Sequence, residues 1–330
     1  MQRKRGGLGG RGGRNPSGAW NRLRPVTEDP LEEYGLPSKG DRRLLIHSNQ
    51  ERYYAKIAER YMSFCTEAGD STSLLKSFAS LNLSDQPSSA PLPPNRTSSV
   101  SAASSTPNRN ASTSASTSIS SNPQSQPTSS SLSHILAALR KLREGIVASS
   151  RTDPFAAQVY LFAIRLGILC AHPETYHPAL LHLLRTIHPH SSSNGQPPLT
   201  SVELHEATSY LVLDAACRRG DLAEAYRLRN AYRLKDGKVD AVLAALVRDD
   251  WVAFWRVKKG VDGHRARLLE FAEDGVRRHL LKAFGRAYLA VPVGWLEGSM
   301  GMGWEEMRGR YKVGWELEGG RVVVRKVQGR

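Results

Sequence analysis

The sequence predicts a mainly α-helical protein: a right-handed stack of helix pairs, then a C-terminal module with a β-hairpin, with a disordered N-terminal tail and a Ser-rich linker ahead of them. Three observations lead there. Apolar residues recur at three- and four-residue spacing from 134 to 290, an acid-capped aromatic segment occurs twice, and a glycine pair separates two strand-like runs near the C-terminus.

Taken in order, residues 1–24 hold seven Lys or Arg and no acid, with Arg-Gly-Gly at 5–7 and again at 11–13. Glycine keeps such a tail flexible, and guanidinium groups at Arg5, Arg11 and Arg14 suit phosphates and base faces. Residues 25–83 form a partly helical arm. Leu45, Tyr53, Ile57, Tyr61 and Phe64 place a stripe on one helix face, expected to pack on the main body. The preceding segment, 29–37, is too broken by Pro and Gly for a helix and suits docking in extended form. Residues 84–133 carry nineteen Ser, five Thr and seven Pro with three charged side chains. That composition buries too little apolar surface to offset chain entropy, so a disordered linker is expected.

From 134 to 290 consecutive helices follow. Ile135, Leu136, Leu139, Leu142 and Ile146 mark the first. Asp153-Pro154 is an N-cap with proline in the first helical position, opening a helix through Phe155, Val159, Phe162, Leu166 and Leu169. Thr200-Ser201-Val202-Glu203 matches a capping box. Asp221-Leu222-Ala223-Glu224-Ala225-Tyr226 and Asp250-Trp251-Val252-Ala253-Phe254-Trp255 each begin the second helix of a pair: 200–217 with 221–234, and 239–248 with 250–259. This is the arithmetic of a short TPR-like solenoid. A long helix over 266–290 places Leu269, Val276, Leu280, Phe284 and Tyr288 inward. Trp251, Phe254, Trp255, Leu280, Phe284 and Tyr288 are read as structural core.

Residues 291–330 change character. Val291-Pro292 ends the long helix, a helical turn falls at 303–310, and runs 312–317 and 321–327 flank Glu318-Gly319-Gly320. Helical turns followed by one hairpin suit a winged-helix module. Arg308, Arg310, Lys312, Arg321, Arg325 and Lys326 make it basic; by strand alternation Arg321 and Arg325 share one face and Lys326 lies on the other. Such a wing suits contact with phosphates.

The chain has 46 Lys and Arg against 31 Asp and Glu, a formal net charge of +15, which favours polyanionic partners. Cys65, Cys170 and Cys217 lie far apart, so neither a disulfide framework nor a zinc site is indicated, and an intracellular setting, nuclear or cytoplasmic, is expected. The basic N-terminus lacks the apolar run of a secretory signal, and the most apolar stretch, 155–171, is interrupted by Gln158 and Arg165. His172, His177, His182, His188 and His190 read as surface residues of a helix-connecting segment; five-residue steps spread imidazoles around any helix instead of gathering them on a metal. The glycine-rich 298–303 has the spacing of neither nucleotide fingerprint nor a nucleophile elbow, and Asp249-Asp250 reads as a helix start. No catalytic constellation, cofactor, membrane contact or small-molecule substrate is expected.

Asp249-Asp250-Trp251-Val252-Ala253-Phe254-Trp255, the stretch from Arg277-Arg278-His279-Leu280 through Lys282-Ala283-Phe284-Gly285-Arg286-Ala287-Tyr288, and Val291-Pro292 together resemble the PCI-domain family. The likeness spans about 134–330 and is nearest the small branch found in the proteasome lid, the signalosome and translation initiation factor subunit k. It is also similar to the SAC/GANP/Thp group of messenger-RNA processing and export factors. The resemblance implies a non-catalytic scaffold whose helix stack meets other PCI or multisubunit-complex proteins and whose winged helix pairs with another or touches nucleic acid. The basic tail and serine linker favour the RNA-linked branch. A purely structural subunit without RNA binding is the alternative.

Overall fold

The computed structural model describes residues 30–70, 73–74, 76–78, 127–191 and 199–325. These residues are mainly helical, with a small three-stranded antiparallel sheet near the C-terminus. The expected tail over 1–24, and the expected linker as far as residue 126, lie outside them.

The N-terminal arm packs on the body. Two short 3-10 turns, Pro37–Lys39 and Arg43–Leu45, lead into α1 (His47–Ala68), whose Tyr53, Ile57 and Phe64 are buried. Fully burying side chains of this size is worth about 1.5–3 kcal/mol each. The segment before α1 docks, but as turns and bends over 30–34 and not in extended form: Leu31 and Tyr34 are buried, and the Tyr53 hydroxyl donates to the Leu31 carbonyl at 2.7 Å. Leu44, not Leu45, is the fully buried member of that pair.

Helix α2 (Pro127–Ala148) receives the arm. It begins inside the segment read as linker. The reason is Leu132, fully buried three residues before Ile135, so the stripe through Leu139, Leu142 and Ile146 extends one step further back. Gly145 sits where the arm crosses: a Cβ there would lie 2.8 Å from the Leu44 carbonyl oxygen. Arg151 then ties the crossing together. Its buried guanidinium donates to Asp153, Glu51 and the Gln50 side chain at 2.6–3.1 Å and lies over the Phe155 ring.

Helix α3 (Pro154–Leu169) is capped by Asp153 with Pro154 first, and is buried on nearly every side between α2 and the helices that follow. A helix apolar all round belongs at a centre. The histidine-rich stretch is not a connector. It forms α4 (Pro173–His182), continuing through a wide π-type turn, Leu183–Ile187, into His188–Ser191. Tyr176, Ala179, Leu180, Leu183 and Ile187 bury one face, and that burial outweighs the backbone hydrogen bond lost at Pro178.

Helix α5 (Ser201–Leu213) opens on the Thr200–Glu203 capping box and runs through a π-type turn, Asp214–Arg218. Asp214 is fully buried there and accepts from Tyr176 and Arg218, which joins α4 to α5. Helices α6 (Leu222–Ala231), α7 (Gly237–Arg248) and α8 (Trp251–Gly260) are capped by Asp221, Asp236 and Asp250. Helix α6 packs on α5 and α8 on α7, and the 25-residue α9 (Gly263–Ala287) crosses α3, α5 and α8.

After α9 come β1 (Ala290–Pro292), α10 (Val293–Met300), α11 (Trp304–Tyr311), β2 (Glu316–Glu318) and β3 (Arg321–Val323). The sheet order is β1-β3-β2, with Val291 opposite Val322 and Val322 opposite Leu317. Gly319 and Gly320 make the hairpin turn with φ of 55° and 77°, values that favour glycine. A second core forms here from Leu280, Leu281 and Phe284 of α9 with Val291, Leu296, Met300, Trp304, Met307 and Val322. Among the described residues no helix is long and apolar enough to cross a membrane.

Candidate nucleic-acid interface

The C-terminal module is fixed to the body through the last turn of α10, whose carbonyls have no partner within the helix. The Trp255 indole N–H donates to the Ser299 carbonyl, and Arg277 Nε donates to the Met300 carbonyl, both at 3.0 Å. Arg277 also pairs with Glu273 at 2.9 Å and lies 5.1 Å from the Trp255 ring centroid. The stretch 298–303 is therefore a helix end and the turn that follows it, with the carbonyls of Ser299 and Met300 engaged by the body.

Phe254, Leu280 and Phe284 are buried, as read from sequence, while Trp251 and Trp255 are half-buried between the two cores. Tyr288 is not core; it is 40% exposed. Helix α9 ends at Ala287 and Tyr288 has extended backbone, so its side chain leaves the helical stripe. Its ring instead packs on Phe284 and on Trp295 of α10, at 5.3 and 5.5 Å.

The predicted cations divide into three groups. Arg308, Lys312 and Arg321 are exposed and have no ion pair among the described residues. Arg310 lies 3.5 Å from Asp274, and Arg325 donates to the Arg286 carbonyl at 2.7 Å, so both are partly engaged. Lys326, Arg5, Arg11 and Arg14 lie outside the described residues. Strand β3 covers only Arg321–Val323; beyond it the amides of Val324 and Arg325 turn back onto the Leu289 carbonyl. Arg321 and Arg325 therefore do not share a strand face.

Trp251 lines three concavities, of which two carry cations. The larger, about 530 Å³, runs between α8 and α10 and is walled by Trp251, Val252, Trp255 and Trp295, with Arg256 and Lys259 at its side. The smaller, about 270 Å³, lies against α9 and is lined by Trp251, His279, Lys282, Ala283 and Arg286 together with Asp249. Asp249 lies 2.7 Å from His279 Nδ1, and Asp250 caps α8, so each acid already has a partner. Arg256, Lys259 and Lys282 make no ion pair among the described residues. Lys258 differs from its neighbours: it reaches Glu273 and faces inward. Trp295, 46% exposed, is the residue that sequence reasoning missed. An apolar residue in an unassigned segment looks like any core residue, and only the fold reveals that it faces solvent.

The arrangement offers aromatic faces and positive charge, which is chemistry for binding. Among the described residues no group of three or more His, Cys, Asp or Glu is placed to hold a metal ion. In comparisons with known proteins, no family model matches the chain and no curated protein is significantly similar to it.

Proposed function

We propose that this chain is a non-catalytic scaffold subunit with a PCI-like domain, in which stacked helix pairs meet partner proteins and a C-terminal winged helix makes sequence-independent contact with nucleic acid. The observation that carries the reading is the connectivity after α9. A strand, two short helices and a hairpin follow in that order, and β3 lies between β1 and β2. That is the order of a winged helix, with the Gly319-Gly320 hairpin as its wing. The α5–α6 and α7–α8 packing supports the helix-pair stack. Exposed Arg308, Lys312 and Arg321 supply the charge for phosphate contact.

One feature favours protein pairing at the same module. Among the described residues strand β2 has a sheet neighbour on one side only, and its Leu317 is 46% exposed. An edge strand with an exposed apolar side chain offers a contact surface for another strand.

The test is RNA binding by the full chain across a salt series. The logarithm of the affinity should fall linearly with log salt, and the triple substitution Arg308→Glu, Lys312→Glu and Arg321→Glu should flatten that slope by roughly two if three phosphate contacts are lost. Binding indifferent both to salt and to these changes would remove the nucleic-acid role. Native purification with RNase treatment checks the scaffold role, because protein partners should stay attached.

A further inference from the structure

We propose that the Trp251–Trp295 cleft is a binding site for single-stranded nucleic acid, in which unpaired bases stack on indole faces while the backbone follows cations on both sides. The inference rests on the nucleic-acid reading above and places the contact in the cleft between α8 and α10 instead of on the hairpin.

The geometry supplies both halves of such a site. Trp295 is 46% exposed yet held in place, its ring 4.8 Å from Phe284 and 5.5 Å from Tyr288. Trp251 is anchored by Phe284 at 6.2 Å. Phe284 is itself fully buried, so the platform rests on the module's core and loses little entropy when a base lands on it. Trp255 is different: with its N–H bonded to Ser299 and Arg277 beside its ring, it forms a fixed wall.

Charge flanks the aromatics. On α8, Arg256 and Lys259 are three residues apart and both exposed; on α9, Lys282 and Arg286 are four apart and line the adjoining hollow. Spacings of three and four put each pair on one helix face. The result is positive charge, then aromatic rings, then positive charge, which complements a strand with repeating phosphates and π-faces. A duplex hides its base faces and would leave the rings unused. An acidic peptide offers the charge without flat faces, and the cleft walls are helices with no free strand edge to pair a peptide backbone.

The measurement is fluorescence anisotropy with the full chain and three probes: a labelled oligouridylate, a duplex RNA of equal length, and a polyglutamate competitor. The single strand should bind more tightly than the duplex, with little displacement by polyglutamate. Trp295→Ala should weaken single-strand binding by about 5- to 150-fold, since stacking is worth about 1–3 kcal/mol per base. It should leave the salt slope unchanged, and Trp295→Phe should retain most affinity. Arg256→Glu with Lys259→Glu should lower the slope instead. Equal binding of duplex and single strand, indifference to Trp295→Ala, or displacement by polyglutamate would each overturn the cleft. If those outcomes appear while the wing substitutions still weaken binding, the cleft fails and the wing contact stands. If no probe binds, both fail.

Discussion

The helical body and the C-terminal module solve the problem of burial in opposite ways. The body has helices long enough to bury whole faces: α3 is nearly enclosed, and α1 and α2 close over Tyr53, Ile57, Leu139 and Leu142. The module has three-residue strands and eight-residue helices, and its core is completed only by Leu280, Leu281 and Phe284, which belong to α9. Helix α9 contributes Leu268, Leu269 and Ala272 to the first core and its second half to the other. Segments of about forty residues seldom bury enough surface to fold alone. The module thus depends on the body through the shared helix α9 and through the bonds from Trp255 and Arg277 to the end of α10, and the exposed aromatics gather where the two cores meet.

The largest test of that asymmetry is Phe284→Ala. Emptying this site should cost about 3–5 kcal/mol and fall on the module, because the ring supports Trp251, Trp295 and Tyr288. Hydrogen exchange should rise across 290–323 while α1 to α4 keep their protection. Equal loosening of both regions would show that the two cores form one cooperative unit.

A second effect separates the regions by pH. Burial holds His177, His182 and His264 below the ordinary value of 6.5, and all three lie in the body. Their folded-state affinity for protons is lower than in the unfolded chain, so unfolding takes up protons as the solution acidifies. Stability from these groups is complete above the unfolded value near 6.5 and is lost as pH falls through it toward the lower folded values. Chemical denaturation between pH 7 and pH 5 should show this loss, and replacing the three with Gln should reduce it.

The smallest effect is a gain. Gly275 lies mid-way along α9 beside an apolar cavity of about 220 Å³ shared with Phe254 and Ala272, and a Cβ there meets nothing within 4 Å. Gly275→Ala should stabilise the chain by about 0.5–1 kcal/mol, read from denaturant midpoints. A loss would mean that this helix must bend or open at that point.

How much of this was legible depended on whether local chemistry decided the outcome. Asp153-Pro154, the Thr200–Glu203 box and Gly319-Gly320 act within a few residues, and each performs its expected local role. Helix α10 was hidden because Gly294 and Gly298 weaken its propensity; it is held by Trp255 and Arg277, which lie far away in sequence. Strand β1 was hidden because three residues with one buried side chain carry no period. The histidine-rich helix was masked by Pro173 and Pro178, and Tyr288 was misplaced because its spacing continues past the last helical residue. For the interface, the cations were visible as composition. Which were free and which were engaged by Asp274 or the Arg286 carbonyl required the fold.

In the proposed binding mode nucleic acid is met at the seam between body and module and along the module's basic face. Hydrogen exchange of the full chain with and without a single-stranded RNA tests it most directly. Exchange should slow in α8, in the second half of α9, in α10 and α11 and across the hairpin, with α1 to α4 unchanged. Slowing confined to α1 to α4, or none in the described helices at saturating RNA, would contradict it.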